Sequence, residues 1–455
     1  MQMIVLALSL LLSATCYLVL LSNRLTSNHR EARPQSPLSD EELSNVSYED
    51  IDMLKSIPAQ PTHQNYVLIG GSGYLGTYIA KLLLLRGETS IRVLDLHPPV
   101  PDVASNPAVT FNQTDITTMH SVREGLTTPF PGKSGRATVI FHTAALIRFW
   151  ERASYTWDTS HKVNVLGTSN VLSVAKKLPN AILIFTSSAD TAIPGPKFLK
   201  LGFDQKTAPK DKITVSDEDA PLSPDAGPES SYTRSKIAAE RLVIGSNGWN
   251  GLKTGIIRPG HTIMGPNDRL LTSALTMPRV PVFDSIWSHT NVCVWDAAAA
   301  HICYADAMQR IPEETAGQTF LVTGKGPAWR IRDTRNALKF YSTRPLVFDQ
   351  IPPLFIYILA HLVEIFLYLR YYTLAPFYLL RSRELNLAPR WMGQLVLLQP
   401  ATFEYWLDVV IDDSRARKIF GYQPQWETAQ VIRYTVDEMQ SGRARKGHGL
   451  ELKVD

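Results

Sequence analysis

Tyr232-Thr233-Arg234-Ser235-Lys236 opens a stretch that continues Ile-Ala-Ala-Glu-Arg-Leu-Val-Ile, a pattern that reads as helix. The four-residue spacing then places the Tyr232 phenol and the Lys236 ammonium on one face, one turn apart. Oxidising an alcohol without a metal needs a base active near neutral pH, and a phenol with a pKa of about 10 serves only if a cation stabilises its phenolate. Lys236 supplies that charge. Upstream, the run Ala181 to Phe185 reads as a strand ending in Thr186-Ser187-Ser188, and the Ser188 hydroxyl can hydrogen-bond a substrate oxygen as hydride leaves its carbon. Ser187 takes that role if the register is one residue off. In a chain with 17 Tyr the Tyr-Lys spacing recurs about once by chance, so its context carries the weight. The competing reading is a surface Tyr and Lys on an amphipathic helix.

The elements that would position these groups start earlier in the chain. Tyr66 to Ile69 is a short β-type run, Gly70-Gly71-Ser72-Gly73-Tyr74-Leu75-Gly76 follows, Tyr74 to Arg86 reads as an apolar helix, and Arg92 to Asp95 makes a second strand. Strand, glycines, helix, strand and terminal acid within about 30 residues point to a dinucleotide site. Gly70 permits the tight turn, Gly73 lets backbone approach a pyrophosphate at the helix N-terminus beside Tyr74 and Leu75, and Gly76 allows close helix-strand packing. Asp95, 19 residues beyond Gly76, can accept hydrogen bonds from a ribose diol and would repel a 2′-phosphate, which favours NAD over NADP. A glycine turn with a chance acid is the competing reading.

Further strand-like runs end in small or polar residues: Val109 to Gln113, Ala137 to Phe141 and Gly255 to Arg258. With helix-type stretches between them, the expected fold class is α/β, a doubly wound parallel sheet of Rossmann type. Ligands in such sheets sit beyond the carboxyl ends of the strands, where these polar residues fall.

Composition is compatible with a packed enzyme: 44% hydrophobic and 19% charged residues in 455 exclude a mostly disordered chain and a many-helix transporter. A net charge of +4 gives no reason to expect nucleic acid, and three cysteines outside any CxxC pair suggest neither a disulfide framework nor a zinc site. His120, His142, His261, His301 and His361 lack metal-ligand spacing, so no metal is expected. Met3 to Leu21 is an uncharged run of 19 residues, about 28 Å as a helix and able to span a bilayer. A cleaved signal peptide is the alternative, but no Lys or Arg precedes the run. Arg24, Arg30 and Arg33 follow it, so the positive-inside rule leaves the body in the cytoplasm. The expected division is an anchor over 1–23, a polar tether over 24–64, a nucleotide-binding domain over 65–260, a substrate-binding part over 261–440 and a flexible tail over 441–455.

These pieces resemble the extended short-chain dehydrogenases, and within them the 3β-hydroxysteroid dehydrogenase and sterol-4α-carboxylate 3-dehydrogenase group. The matching residues are Gly70 to Gly76, Asp115-Ile116, His142 to Ala145, Asn164 to Thr168, Thr186 to Ser188, Tyr232 with Lys236, Arg258-Pro259-Gly260, Met264 to Pro266, Val294 with Asp296, Ala298 and His301, and Asp413 to Pro424. The resemblance implies Tyr232 as proton acceptor, Lys236 lowering its pKa and holding the nicotinamide ribose, and Ser188 orienting the substrate. It further implies that Asp115 and Ile116 contact adenine, Ala144 and Ala145 the cofactor backbone, and Pro259 the nicotinamide side. Two departures stand out: Ile69 where many members have Thr, and a long Pro- and Lys-rich interval from Ile193 to Pro228 that is expected to shape the substrate pocket.

Ile351 to Leu380 is rich in Ile, Leu, Phe and Tyr but interrupted by Pro352, Pro353, His361, Glu364, Arg370 and Pro376, and its uncharged run before Glu364 is 13 residues, short for a span. A re-entrant or interfacial segment is expected, with its tyrosines at headgroup level and Arg370, Arg381 and Arg383 near phosphates. A buried helix pair capping the substrate part is the alternative. The sequence thus reads as an endoplasmic-reticulum membrane enzyme, single-pass with a cytoplasmic catalytic part, that oxidises a sterol or triterpenoid 3β-hydroxyl with NAD. Carbonyl reduction and nucleotide-sugar epimerisation are the catalytic alternatives, and a non-catalytic NAD-binding scaffold is disfavoured by the full Ser-Tyr-Lys set. A homodimer is left open.

Overall fold

The computed structural model describes residues 2–26, 38–130, 137–193, 213–216, 230–277, 279–283, 287–380, 388–405 and 409–442. Arg30, Arg33, Arg381, Arg383, most of the 193–228 interval and all but two residues of the expected tail lie outside them.

Seven parallel strands form the central sheet: β1 (Asn65–Ile69), β2 (Ile91–Asp95), β3 (Val109–Gln113), β4 (Thr138–His142), β5 (Ile182–Thr186), β6 (Lys253–Pro259) and β7 (Thr319–Val322). Their order is β7-β6-β5-β4-β1-β2-β3, so the winding reverses between β1 and β4. That reversal opens a crevice at the strands' carboxyl ends, the place where such sheets bind ligands. Period-2 alternation divides each strand between two cores. On β1, Tyr66 and Leu68 pack with Ile79 and Leu82 of the helix Tyr74–Leu85 and with the alanine-rich helix Val294–Arg310. Val67 and Ile69 pack on the other face with Val171 of the helix Gly167–Ala175 and Ala239 of the helix Ser231–Ile244.

Three expectations change. The boundary at 260/261 does not divide the fold, because β7 pairs with β6 (Val322 opposite Pro259) and Val294–Arg310 packs on the sheet. Thr319 to Val322 is an apolar run too short to stand out from the sequence around it. Residues 38–64 are not a free tether: Ser39 and Glu42 form a reciprocal capping box on a short helix, and Leu43, Met53 and Ile57 are buried in the main core. Polar composition concealed these few apolar residues, which are anchored further when the Tyr341 hydroxyl donates to the Leu43 carbonyl at 2.8 Å.

The 351–380 region is one continuous helix, Pro353–Leu380, neither a re-entrant turn nor a helix pair. Its interrupting charge faces the body: Arg152 Nε and Nη2 donate to the two Glu364 carboxylate oxygens at 2.7 and 2.8 Å. Tyr155 stacks on Tyr371 beside that pair, with ring centroids 4.2 Å apart. Phe355, Ile358, Leu362, Ile365, Phe366 and Leu369, at helical spacing, form an exposed apolar face. The N-terminal helix Gln2–Thr26 meets this helix near its start, where Leu21 is buried with Ile356, Tyr357, Ala360 and Phe403. Both helices are long and apolar enough to cross a membrane.

Candidate active site

The glycine turn occupies the crevice between β1 and β4. Gly70 has φ +81°, and a Cβ there would lie 2.5 Å from the Ala144 nitrogen. A Cβ on Gly76 would lie 2.3 Å from the Gly70 carbonyl oxygen, so the turn and the first helical turn touch through backbone alone. Gly73 caps the helix Tyr74–Leu85 with no side chain, leaving its first N–H groups facing the crevice. Tyr74 and Leu75 border the site through backbone, their side chains being directed into the interior, where the Tyr74 ring meets Tyr78 edge-on at 5.7 Å. Burial raises the Tyr74 phenol pKa well above its ordinary value.

Asp95 ends β2 beside this turn. Its two oxygens accept from Ser72 N at 3.0 Å and Leu96 N at 2.7 Å, which fixes the carboxylate while each oxygen keeps a lone pair. One strand further, Asp115 accepts from the Thr117 backbone and hydroxyl at 2.9 and 2.8 Å, and Ile116 is buried so closely against Gly167 that a Cβ there would meet it at 2.8 Å. Ala144 N donates to the Ile69 carbonyl at 3.0 Å, tying the end of β4, with Ala145 next along, to the glycine turn. Pro259 ends β6. The cradle of backbone and the fixed acid at its edge fit a nicotinamide dinucleotide.

Across the crevice stands the helix Ser231–Ile244, capped by Ser230 Oγ accepting Thr233 N at 3.0 Å. The Ser231 backbone N–H donates to the Glu151 carbonyl at 2.7 Å, and the Tyr405 hydroxyl meets Ser230 Oγ and Thr233 Oγ1 at 2.6 and 2.7 Å. Tyr232 and Lys236 face the sheet, both buried. Ser188 lies close enough to the Tyr232 phenol to act on its pKa. Lys236 Nζ donates to the Thr186 carbonyl at 2.7 Å and lies 4.6 Å from the Phe185 ring centroid. Burial raises the phenol pKa, with Asp190 adding to the rise and Ser188 opposing it. Burial likewise lowers Lys236 to about 7, against the pull of Glu240. Ser188, Tyr232 and Lys236 are therefore brought together, with Ser188 two residues past the end of β5 rather than on it. Ser187 Oγ is buried without a hydrogen-bond partner among the described atoms.

Several neighbours escape a motif reading. Asn164 accepts from Leu146 N at 2.7 Å and donates to Leu146 O at 2.9 Å and Ser235 Oγ at 2.8 Å, linking the loop after β4 to the helix that carries Tyr232 and Lys236. Glu240 accepts from Arg258 Nε and Nη2 at 2.9 and 2.7 Å and from Thr191 Oγ1 at 3.0 Å, all buried. Asp190 accepts from Ser188 Oγ at 3.0 Å, and His261 Nδ1 lies 3.5 Å from its other oxygen. Asn164 stood within a matching motif without a role, and an acid two residues past Ser188 was the available signal for Asp190.

The sequence model of the 3-beta hydroxysteroid dehydrogenase/isomerase family matches residues 67–338, more than half of the chain. The chain belongs to this family. A 3 beta-hydroxysteroid dehydrogenase type 7 of Rattus norvegicus is 27% identical over 382 residues, covering 80% of this chain and 93% of the relative. A decarboxylating sterol-4-alpha-carboxylate 3-dehydrogenase of Candida albicans is 27% identical over 281 residues, covering 58% and 72%. Among solved structures, the Thermus thermophilus UDP-glucose 4-epimerase complex with NAD matches with TM-score 0.55 at 17% identity, covering 83% of this chain and 99% of that one. RMD from Pseudomonas aeruginosa, complexed with NADPH, matches with TM-score 0.53 at 16% identity, covering 84% and 100%. These structures share the fold. As a member of the 3-beta hydroxysteroid dehydrogenase/isomerase family the chain is an oxidoreductase acting on CH–OH donors.

Proposed function

We propose that this family member is an NAD-dependent 3β-hydroxysteroid dehydrogenase that oxidises a membrane-derived sterol or triterpenoid. The observation that carries the reading is the joint burial of Ser188, Tyr232 and Lys236, with Lys236 one helical turn from Tyr232 and held on the Thr186 carbonyl, across the crevice from the glycine turn. The dinucleotide, when bound, supplies the hydride acceptor and a positive charge. Tyr232 takes the proton of the substrate hydroxyl, Lys236 stabilises the phenolate that does so, and Ser188 holds the oxygen in place. Burial works against both charged forms, raising the phenol and lowering the ammonium, so the phenolate needs the nearby cation that Lys236 provides in this reading. Asp95 favours the ribose diol of NAD over the 2′-phosphate of NADP.

If the substrate bears a C4 carboxylate, a ketone at C3 makes it a β-keto acid. The electrons of the breaking carbon–carbon bond then enter an enol, and CO2 leaves without a further catalytic group. Two exposed apolar surfaces support a lipid substrate: the N-terminal helix, with Met3, Leu6 and Leu10 exposed, and the outer face of Pro353–Leu380. In this reading the first helix anchors the chain in the endoplasmic-reticulum membrane, the second lies along the interface, and the catalytic body is cytoplasmic. The sequons at Asn45 and Asn112 check the orientation, since a glycan on either would place the body in the lumen.

The test is to supply membranes carrying the protein with NAD and 3β-hydroxy sterols, with and without a 4α-carboxyl group, and to follow NADH, 3-ketone and CO2. NADH with ketone supports the reading, and CO2 selects the decarboxylating subtype. Tyr232→Phe is expected to lose at least about 10²-fold in kcat, the lower end for general acid–base catalysis. Near-normal turnover of that variant would overturn the assignment.

A further inference from the structure

Ser188 has one proton and two claimants for it. Its Oγ donates to Asp190 Oδ2 at 3.0 Å and accepts from Asp190 N at 3.3 Å, and its other neighbour is the buried Tyr232 phenol, whose pKa Ser188 lowers. With Asp190 ionised, the Ser188 proton is committed to the carboxylate, and the phenol is left to donate to Ser188. With Asp190 protonated, its O–H donates to Ser188, and the Ser188 proton is free for a phenolate or a substrate oxygen. The hydrogen-bond chain can therefore run in two directions.

We infer that Asp190, backed by His261, is a positioning residue whose protonation sets whether the Ser188 proton is committed to its carboxylate or available to Tyr232 and the substrate oxygen, and so whether the site takes up or releases the substrate proton. This rests on the proposed role of Tyr232. Among the described residues, three neighbouring buried atoms have no hydrogen-bond partner: Asp190 Oδ1, His261 Nδ1 and His289 Nε2. The first two face each other at 3.5 Å, and the His261 and His289 ring centroids are 3.8 Å apart. Unpaired buried polar atoms are rare in folded proteins, and three in one row mark a place built for a proton. Burial raises the Asp190 carboxyl and lowers the His261 imidazole, bringing their proton affinities together. A charge on His261 also lowers the pKa of His289, so the cluster favours one added proton over two.

The proton half of the oxidation balances within the chain. The substrate O–H bond breaks and its proton goes to Tyr232. The phenol proton passes to Ser188 Oγ, and the Ser188 proton passes to Asp190 Oδ2. The Asp190–His261 pair ends one proton richer, and the reverse sequence serves reduction.

Other groups face this row. Glu240 is neutralised by Arg258 and bonded by Thr191, Tyr405 is engaged by Ser230 and Thr233, and His301 is bonded to Thr186 Oγ1 at 2.7 Å. Lys236, lowered to about 7, also titrates in the site, and the Tyr232 phenol itself is followed separately by its phenolate absorbance. The Lys236 effect has the opposite sign: losing the Lys236 charge weakens oxidation as pH rises, whereas protonating Asp190 weakens oxidation as pH falls.

The experiment compares pH profiles of oxidation and reduction for full-length wild type, Asp190→Asn and His261→Gln, with dinucleotide binding and thermal midpoint confirming that each is folded. Phenolate absorbance is titrated in the cofactor-free proteins against Tyr232→Phe. Asp190→Asn should lose about tenfold in oxidative kcat, less than a direct acid–base residue, with KM nearly unchanged. It should also ionise its phenol at lower pH and move the acid limb to lower pH with it. His261→Gln should move the acid limb to higher pH, because Asp190 loses the partner that favours its charge. Profiles and phenolate titrations that overlay the wild type in both variants would overturn the inference. If only Asp190→Asn fails to fold, an unmoved limb in His261→Gln overturns it alone. A dead Tyr232→Phe beside wild-type profiles in these variants rejects the relay and leaves the proposed function standing, whereas an active Tyr232→Phe rejects both.

Discussion

The two walls of the crevice are built in opposite ways. The cofactor wall is local: Gly70 to Gly76, Ser72 and Asp95 lie within one strand–helix–strand unit, and its close contacts are backbone to backbone. The reaction wall is gathered from distant segments: Lys236 reaches Thr186, Asn164 reaches Ser235, Glu240 reaches Arg258, and Tyr405 reaches Ser230 from 175 residues away. A wall made of backbone is specified by which residues have no side chain. A wall made of long-range polar contacts holds only if the whole sheet is assembled, so it should fail through stability as well as chemistry.

Glu240→Gln tests this difference with the largest expected effect. The Arg258 and Glu240 side chains are 1% and 0% exposed, so removing the negative charge leaves a buried guanidinium without its counter-charge. Breaking one side of a buried pair costs about 3–5 kcal/mol. The thermal midpoint should fall clearly, and turnover should fall with it because Glu240 also holds the turn that carries Asp190 through Thr191. An unchanged midpoint would break the claim that the reaction wall depends on its long-range ion pair.

Gly76→Ala probes the other wall. The added Cβ meets backbone atoms, the Gly70 oxygen at 2.3 Å and the Gly71 Cα at 2.6 Å, and no side chain can move aside to relieve it. Overpacking of this kind costs about 1–3 kcal/mol, less than the loss of the ion pair. Its main signature should be in binding, since the displaced turn is the one that would approach the pyrophosphate in the proposed function. Tryptophan fluorescence titrated with NAD should show dinucleotide affinity reduced by about tenfold or more. Normal affinity would mean that the turn tolerates the side chain and that the glycine is not a packing requirement.

The contrast also explains which parts of the fold and site are legible in the sequence. Six of the seven strands and the glycine turn were legible because periodicity and glycine placement are local properties. Tyr232 and Lys236 were legible because one helix carries both. Asn164, Asp190 and His261 were not, since their contacts join loops that only the folded sheet brings together. Residues 38–64 misled through composition: Leu43, Met53 and Ile57 are too widely spaced to read as an element, although Ser39-Asp40-Glu41-Glu42 carried a capping-box signature. Glu364 misled in a different way. A charge inside an apolar run suggested an interruption, but Arg152 satisfies it at the body and the helix continues.

Asp95→Asn makes the smallest change and sharpens the comparison furthest. The carboxylate accepts from Ser72 N and Leu96 N, which shapes the turn, and in the proposed function it also offers charge to the ribose edge. Asparagine keeps the shape and one acceptor but removes the charge. The fold should therefore hold, with the thermal midpoint near wild type, while repulsion of a 2′-phosphate is lost. The ratio of kcat/KM for NAD to that for NADP should fall by about tenfold, equivalent to about 1.4 kcal/mol. A stability loss with an unchanged ratio would show that Asp95 acts as a structural cap. The local wall would then depend on side-chain contacts in the same way as the distant one.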